Sequence, residues 1–206
     1  ARYNHETVAM AFSITEEAVE DNLYDKISSR YTRALARSMA HTKQVKAAGV
    51  LNNAFDTTVV GGDGKALCVT DHPLTNGGTL DNVAAADLNE TSLEDALINI
   101  AGFTDERGLI IALRGMKLII PRQLQFVAER LMASNMRPGT ADNDVNAVQS
   151  MGMLPGGYVI NDFLTDTDAF FIKTDAPNGL KHFERMSLAT AMDPDFETGN
   201  MRYKAR

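Results

Sequence analysis

The chain has 206 residues, 44% of them hydrophobic and 23% charged, enough apolar material for a sizeable core in one large domain or two small ones. Its formal net charge of −7 argues against general nucleic-acid binding, which needs clustered Lys and Arg to displace phosphate counterions. The single cysteine, Cys68, excludes an internal disulfide framework; no signal-peptide pattern is found, nor an apolar run near the roughly 20 residues that span a bilayer, so folding in a reducing cytoplasm is expected.

Residues 14–51 contain no proline, one glycine (Gly49) and mostly good helix formers, with Ser13 and Glu16 spaced as a capping box. One long helix is predicted. Its apolar positions Val19, Leu23, Ile27, Tyr31, Leu35 and Met39 recur every four residues, so the stripe winds slowly and different turns face different neighbours. Such a helix would span about 57 Å at 1.5 Å per residue. A compact globule of this chain length is only about 43 Å across. Either the helix breaks, near His41-Thr42 or Gly49, or the chain finds further burial against other subunits. Glu16, Glu17, Glu20, Asp21 and Asp25 come first along it and Lys26, Arg30, Arg33, Arg37, Lys43 and Lys46 follow, an order that complements the helix dipole. A solvated face tuned to the dipole accounts for this pattern. A charge seam between subunits along Arg30, Arg33 and Arg37 is the functional alternative.

Residues 56–90 are rich in Gly, Asp, Asn and Thr, with turns expected at Gly61-Gly62, Asp63-Gly64 and Asn76-Gly77 around one or two small strands such as Ala66–Val69. Thr91 and Glu94 form a second capping-box pattern before a helix that buries Leu93, Ala96, Leu97, Ile100 and Ala101. LIIAL at 109–113 and KLII at 117–120 read as strands covered on both faces. Pro121 suits a first helical position, and Leu124, Val127, Ala128, Leu131 and Met132 keep one-face spacing after it. Beyond a polar passage at 134–157, GYVI, AFFIK, LKHFER and NMRYKA are strand candidates, with a hairpin turn at Asn178-Gly179.

No complete chemical motif is present. Asp142-Asn143-Asp144-Val145-Asn146 imitates the start of a calcium loop, but Ala147 stands where Gly belongs and Met153 where Glu belongs, which leaves a polar turn. GGDGK at 61–65 lacks the first Gly and the Ser or Thr of a phosphate loop. Cys68 and His72 lack further zinc ligands or an orienting group, and Cys68 lies among Leu67 and Val69 like a small buried hydrophobe. His5-Glu6 has Ala9 where a zinc-protease motif needs its second histidine, and Asn89-Glu90-Thr91 is better read as a helix start than as a glycosylation sequon. His41 and His182 have no partner at metal spacing and are expected at the surface or in an interface. Loops this long in a compact fold are usually functional, and contact with partners is the use left to them.

Four segments carry a family resemblance: HETVAMAFSITEEAVEDNLYD at 5–25, LIIPRQLQFVAERLM at 118–132, RPGTADNDVNAV at 137–148 and DPDFETGNMRYKAR at 193–206. In their order the chain resembles the major capsid protein of tailed bacteriophages, the Hong Kong 97 shell fold. The resemblance implies an α+β subunit with a returning strand of an extended loop at 1–12, a peripheral domain with its spine helix at 13–55, an axial domain at 56–190, and a return to the peripheral domain at 191–206. The loop around Asp142, Asn143 and Asp144 would approach the five- and six-fold axes. It implies further chain at both ends. Function would be structural and not enzymatic: pentamers and hexamers of one protein, assembled in the host cytoplasm with scaffold, portal and decoration proteins, forming the icosahedral head of a virion. That head would enclose double-stranded DNA without sequence-specific binding, without a membrane and without a cofactor. The alternatives are an encapsulin-like compartment, a hydrolase using Asp142 and Asp144 or Cys68 and His72, and a monomeric binding module.

Overall fold

A computed structural model describes residues 5–21, 24–137, 144–177 and 179–206. The protein is α+β, with 31% helix and 19% strand. It divides into two compact units, one formed by 1–47 with 180–206 and the other by 48–179.

In the first unit, β1 (Met10–Ile14), β7 (Thr190–Pro194) and β8 (Met201–Ala205) form an antiparallel sheet in the order β1-β8-β7. Alternation decides its faces: Phe12 pairs with Tyr203 and Ile14 with Met201, which puts these side chains together with Ala205 on one side. The Phe12 ring stacks on Tyr203 at 4.9 Å and meets Tyr31 at 5.6 Å. Tyr31 belongs to α2 (Tyr24–Asn52), on which Leu35 is buried.

The predicted single helix is two. Ser13 is held in β1 opposite Arg202, so Thr15 becomes the N-cap, its Oγ1 accepting from the Ala18 N–H, and α1 (Glu16–Glu20) ends at Asp21. Strand pairing thus outranks the local Ser13 and Glu16 signal, and α2 begins afresh at Tyr24. His41, Thr42 and Gly49 all remain helical.

The second unit is built around β4 (Gly115–Ile120), the central strand between β5 (Tyr158–Ile160), which it parallels, and β6 (Phe171–Thr174), which it opposes. Leu118 and Ile120 are fully buried. They pack with Leu93 and Leu97 of α3 (Glu90–Ala101), Ala128 and Leu131 of α4 (Gln125–Ala133), and Val148 of α5 (Ala147–Ser150). Gly115 is needed for this packing: a Cβ there would lie 2.6 Å from Leu97 Cδ2 and 3.0 Å from Leu154 Cδ2. Pro121 is buried just ahead of a 3-10 turn, Arg122–Leu124, one step outside the helical position predicted for it. The cap of α3 is also shifted. Asn89 accepts from the Ser92 N–H while the Ser92 hydroxyl accepts from the Asn89 N–H, a box two residues earlier than Thr91 and Glu94 and in keeping with a helix start at Asn89.

Three predicted strands are absent. Ala66–Val69 is irregular, and the small strands of this region are β2 (His72–Pro73) and β3 (Thr79–Leu80), joined through a turn with Gly77 at φ +84. LIIAL at 109–113 is not a strand, and LKHFER at 180–185 is exposed irregular chain. The hairpin turn expected at Asn178-Gly179 falls on Asn178, which lies outside the described residues. Strand β7, with no apolar alternation of its own, forms by pairing with β8.

Candidate assembly surfaces

Of the residues weighed for chemistry, His72 is held within a turn. The His72 Nδ1–H donates to Asp63 Oδ2 at 2.6 Å, because an ionised carboxylate can only accept. Asp63 Oδ1 takes the Lys65 N–H, and Lys65 Nζ pairs with Asp71. GGDGK is thus a turn, with Gly64 at φ +77 and the Gly61 N–H on the Lys65 carbonyl at 2.7 Å. The partner that orders His72 is Asp63, a pairing that sequence spacing hid because nine residues of turn separate the two. Burial pushes the Cys68 thiol up, away from the thiolate a nucleophile needs. Among the described residues no group of three or more His, Cys, Asp and Glu could hold a metal ion. A cleft lined by Leu51, Phe55, Leu164 and Phe171 has about 10 Å³ of space, room for one water molecule.

The hydrogen bond from His72, and then that from the Lys65 N–H, hold the Asp63 carboxyl below the usual carboxylate range. A carboxyl depressed in the folded state contributes stability that is present above its ordinary pKa and lost as pH falls through the folded value. The 61–73 turn is therefore expected to loosen under acid, below about pH 4. Asp63→Asn should flatten that acid limb; proteolytic cleavage of the segment as a function of pH measures it, and an unchanged acid limb would refute the assignment.

The described residues on either side of 138–143 are tied to one another. The Arg137 N–H donates to the Asp144 carbonyl at 2.9 Å, Met136 bridges Val145, and Arg137 Nε reaches Glu90 at 2.9 Å. Asp144 is exposed at this base, whereas Asp142 and Asn143 lie outside the described residues. Asn146 is the residue whose importance the sequence reading missed. It is fully buried; its Nδ2 donates to the Leu131 and Ser134 carbonyls, which α4 leaves open at its C-terminus, and its Oδ1 accepts from the Gln149 N–H to cap α5. An Asn just ahead of a short helical stretch was the available signal.

Several large apolar and charged side chains remain exposed. From Phe103 to Ile111 the chain folds back on itself, with Gly108 at φ +86, Thr104 bridged to Ile110, and Asp105 Oδ1 accepting from the Arg107 and Leu109 N–H groups. This rigid return holds Leu109, Ile110 and Ile111 out at 65%, 71% and 50% exposure. Of LIIAL, predicted to be covered on both faces, 109–112 are exposed and Leu113 is half-buried. Phe126 on α4 and Phe196 at the β7–β8 turn are also exposed, and the latter turn is stiffened by Asp195, which accepts from Thr198 and Arg202. On α2, Arg30, Arg33 and Arg37 are exposed at i, i+3 and i+7, one face of the helix, and form no ion pair with a described residue.

Hydrogen-bonded turns that hold large apolar side chains in water, with an exposed arginine ridge, are the equipment of a protein that works by contact with other protein surfaces. The model of one family, phage capsid protein, matches residues 1–206, and the chain belongs to that family. Comparison with curated proteins and with solved structures finds no match. The role is structural, the protein self-assembles into an oligomeric shell, and its place is the virion. No helix among the described residues is long and apolar enough to cross a membrane.

Proposed function

We propose that the protein is the major capsid subunit of an icosahedral head enclosing double-stranded phage DNA, with a Hong Kong 97-type fold arranged as pentamers and hexamers. Residues 13–55 form its peripheral domain and spine helix, 56–190 its axial domain, 191–206 the return to the peripheral domain, and 1–12 the returning strand of an extended loop. The loop carrying Asp142, Asn143 and Asp144 faces the symmetry axes. Arg30, Arg33 and Arg37 form a seam between subunits, and assembly in the host cytoplasm involves scaffold, portal and decoration proteins. The observation that carries the reading beyond its family is the Leu109–Ile111 return, a structured segment holding three consecutive large apolar side chains in water. Isolated exposed apolar residues are ordinary, but a rigid contiguous set marks a contact site. Repetition then multiplies contacts that are weak one at a time.

Particles purified from the phage should be closed icosahedral shells by electron microscopy, with nuclease-protected double-stranded DNA inside. Shells filled with enzyme cargo, or a monodisperse monomer on sedimentation of the whole protein, would overturn the proposal. Replacing Leu109, Ile110 and Ile111 together by Ser should lower particle yield by about tenfold or more while the subunit stays folded. Wild-type yield from a folded triple variant would remove this segment from the contact surface.

A further inference from the structure

The first unit carries two charged faces of opposite sign, and neither is neutralised by an ion pair with a described residue. Arg30, Arg33 and Arg37 lie on the side of α2 opposite the buried Leu35. Along the helix they span seven residues, about 10 Å. Glu17, Glu20 and Asp21 lie at i, i+3 and i+4 on α1, exposed, while the half-buried Ala18 and Val19 point the other way. None of the six forms a salt bridge with a described residue, although other exposed charges of the same unit do: Lys43 with Glu184 at 2.7 Å, Lys46 with Glu6 at 2.7 Å, Arg202 with Asp195 at 2.6 Å. Three guanidinium groups on one ridge and three carboxylates along α1 and its C-cap Asp21 match in number and are opposite in sign. Guanidinium and carboxylate groups pair well because their planar forks fit.

We infer that the arginine ridge of α2 docks the acidic face of α1 of a second copy of this chain. This rests on the reading of the protein as a shell subunit and names which segments meet in the seam. A polyanion such as DNA is the less fitting occupant. The same unit presents carboxylates as well as arginines, the whole chain carries −7, and a copy of the protein supplies a complementary face of equal charge.

A charge exchange tests it. Arg30→Glu, Arg33→Glu and Arg37→Glu together should cut particle yield by about tenfold or more, and Glu17→Lys, Glu20→Lys and Asp21→Lys together should do the same. Circular dichroism should report both variants as folded. The six-fold variant, in which both faces are reversed, keeps the net charge and should recover most of the wild-type yield. Failure of that recovery with folded protein overturns the pairing, as does wild-type yield from either triple variant. So does duplex DNA binding by wild-type protein that is lost in the arginine variant alone. Absence of particles from the wild-type protein instead overturns the shell reading itself, so the two failures are distinguishable.

Discussion

Leu118→Ala is expected to destabilise the second unit by about 3–5 kcal/mol, the cost of removing a large side chain from a core that cannot collapse around the gap. Leu118 is fully buried in the central strand and has structure on every side: β5 and β6 along its edges, and the helices α3 and α4 in the same cluster. Neither sheet edge can move inward without breaking the pairs Leu118↔Tyr158 and Leu118↔Ile172. Met116, two residues earlier in the same strand, is 37% exposed, so Met116→Ala should cost under about 1 kcal/mol. Urea denaturation of the two variants measures the difference. At a slope of about 2–3 kcal/mol per molar, Leu118→Ala should move the midpoint down by about 1–2 M. Equal midpoints for the two variants would mean that β4 is not the centre of the core.

Asn146→Ala should cost about 2–4 kcal/mol, because it deletes three side-chain hydrogen bonds and leaves the Leu131 and Ser134 carbonyls without their donor in a site closed to water. Asn146→Asp separates the causes. The carboxylate keeps the acceptor that caps α5 but turns an oxygen toward two carbonyls, and it places a charge where nothing is exposed. At neutral pH it should be at least as damaging as Ala. On acidification its protonated form can donate again, so its deficit relative to Ala should shrink, which thermal melts at two pH values would show. An Asp variant as stable as the wild type would mean that capping of α5, and not closure of α4, is the residue's main work. Because the same residue sits at the base of the 138–143 loop, both variants should also speed proteolysis within it.

Where the chain punctuates itself strongly, the reading from residues alone was sound. KLII before Pro121, the one-face spacing of Leu124, Ala128 and Leu131, the glycine turns at 64 and 77, and the buried stripe Leu93, Leu97 and Ile100 all stand as expected. These features are local: a helix face needs only its own spacing, and a turn only the positive φ that glycine tolerates. The caps were harder to locate, because several Ser, Thr and Asn residues compete within a few positions. Pairing of Ser13 with Arg202, some 190 residues away, decided the first case. Of the candidate site residues, the arginine ridge could be read from its spacing. His72 with Asp63 and the burial of Asn146 could not, since each depends on where a turn places its ends.

LIIAL and KLII are the clearest instance of the limit. They are nearly the same string of apolar residues a few positions apart, and an apolar run without alternation has no periodicity to say which face, if any, is covered. One became the central strand because β5 and β6 flank it and α3 and α4 pack over it; the other was turned back at Gly108 and left in water. β7 is the converse, a strand without a strand's pattern, drawn into the sheet by the free edge of β8. Residue order alone determined the α+β class, the buried faces of the helices, the glycine turns at 64 and 77 and the family, because helical spacing and glycine chemistry act over a few neighbouring residues. The choice of which apolar segment is inside, and which charged and apolar faces remain for a neighbour, was made only in three dimensions, where distant segments compete for the same edges and the same core volume.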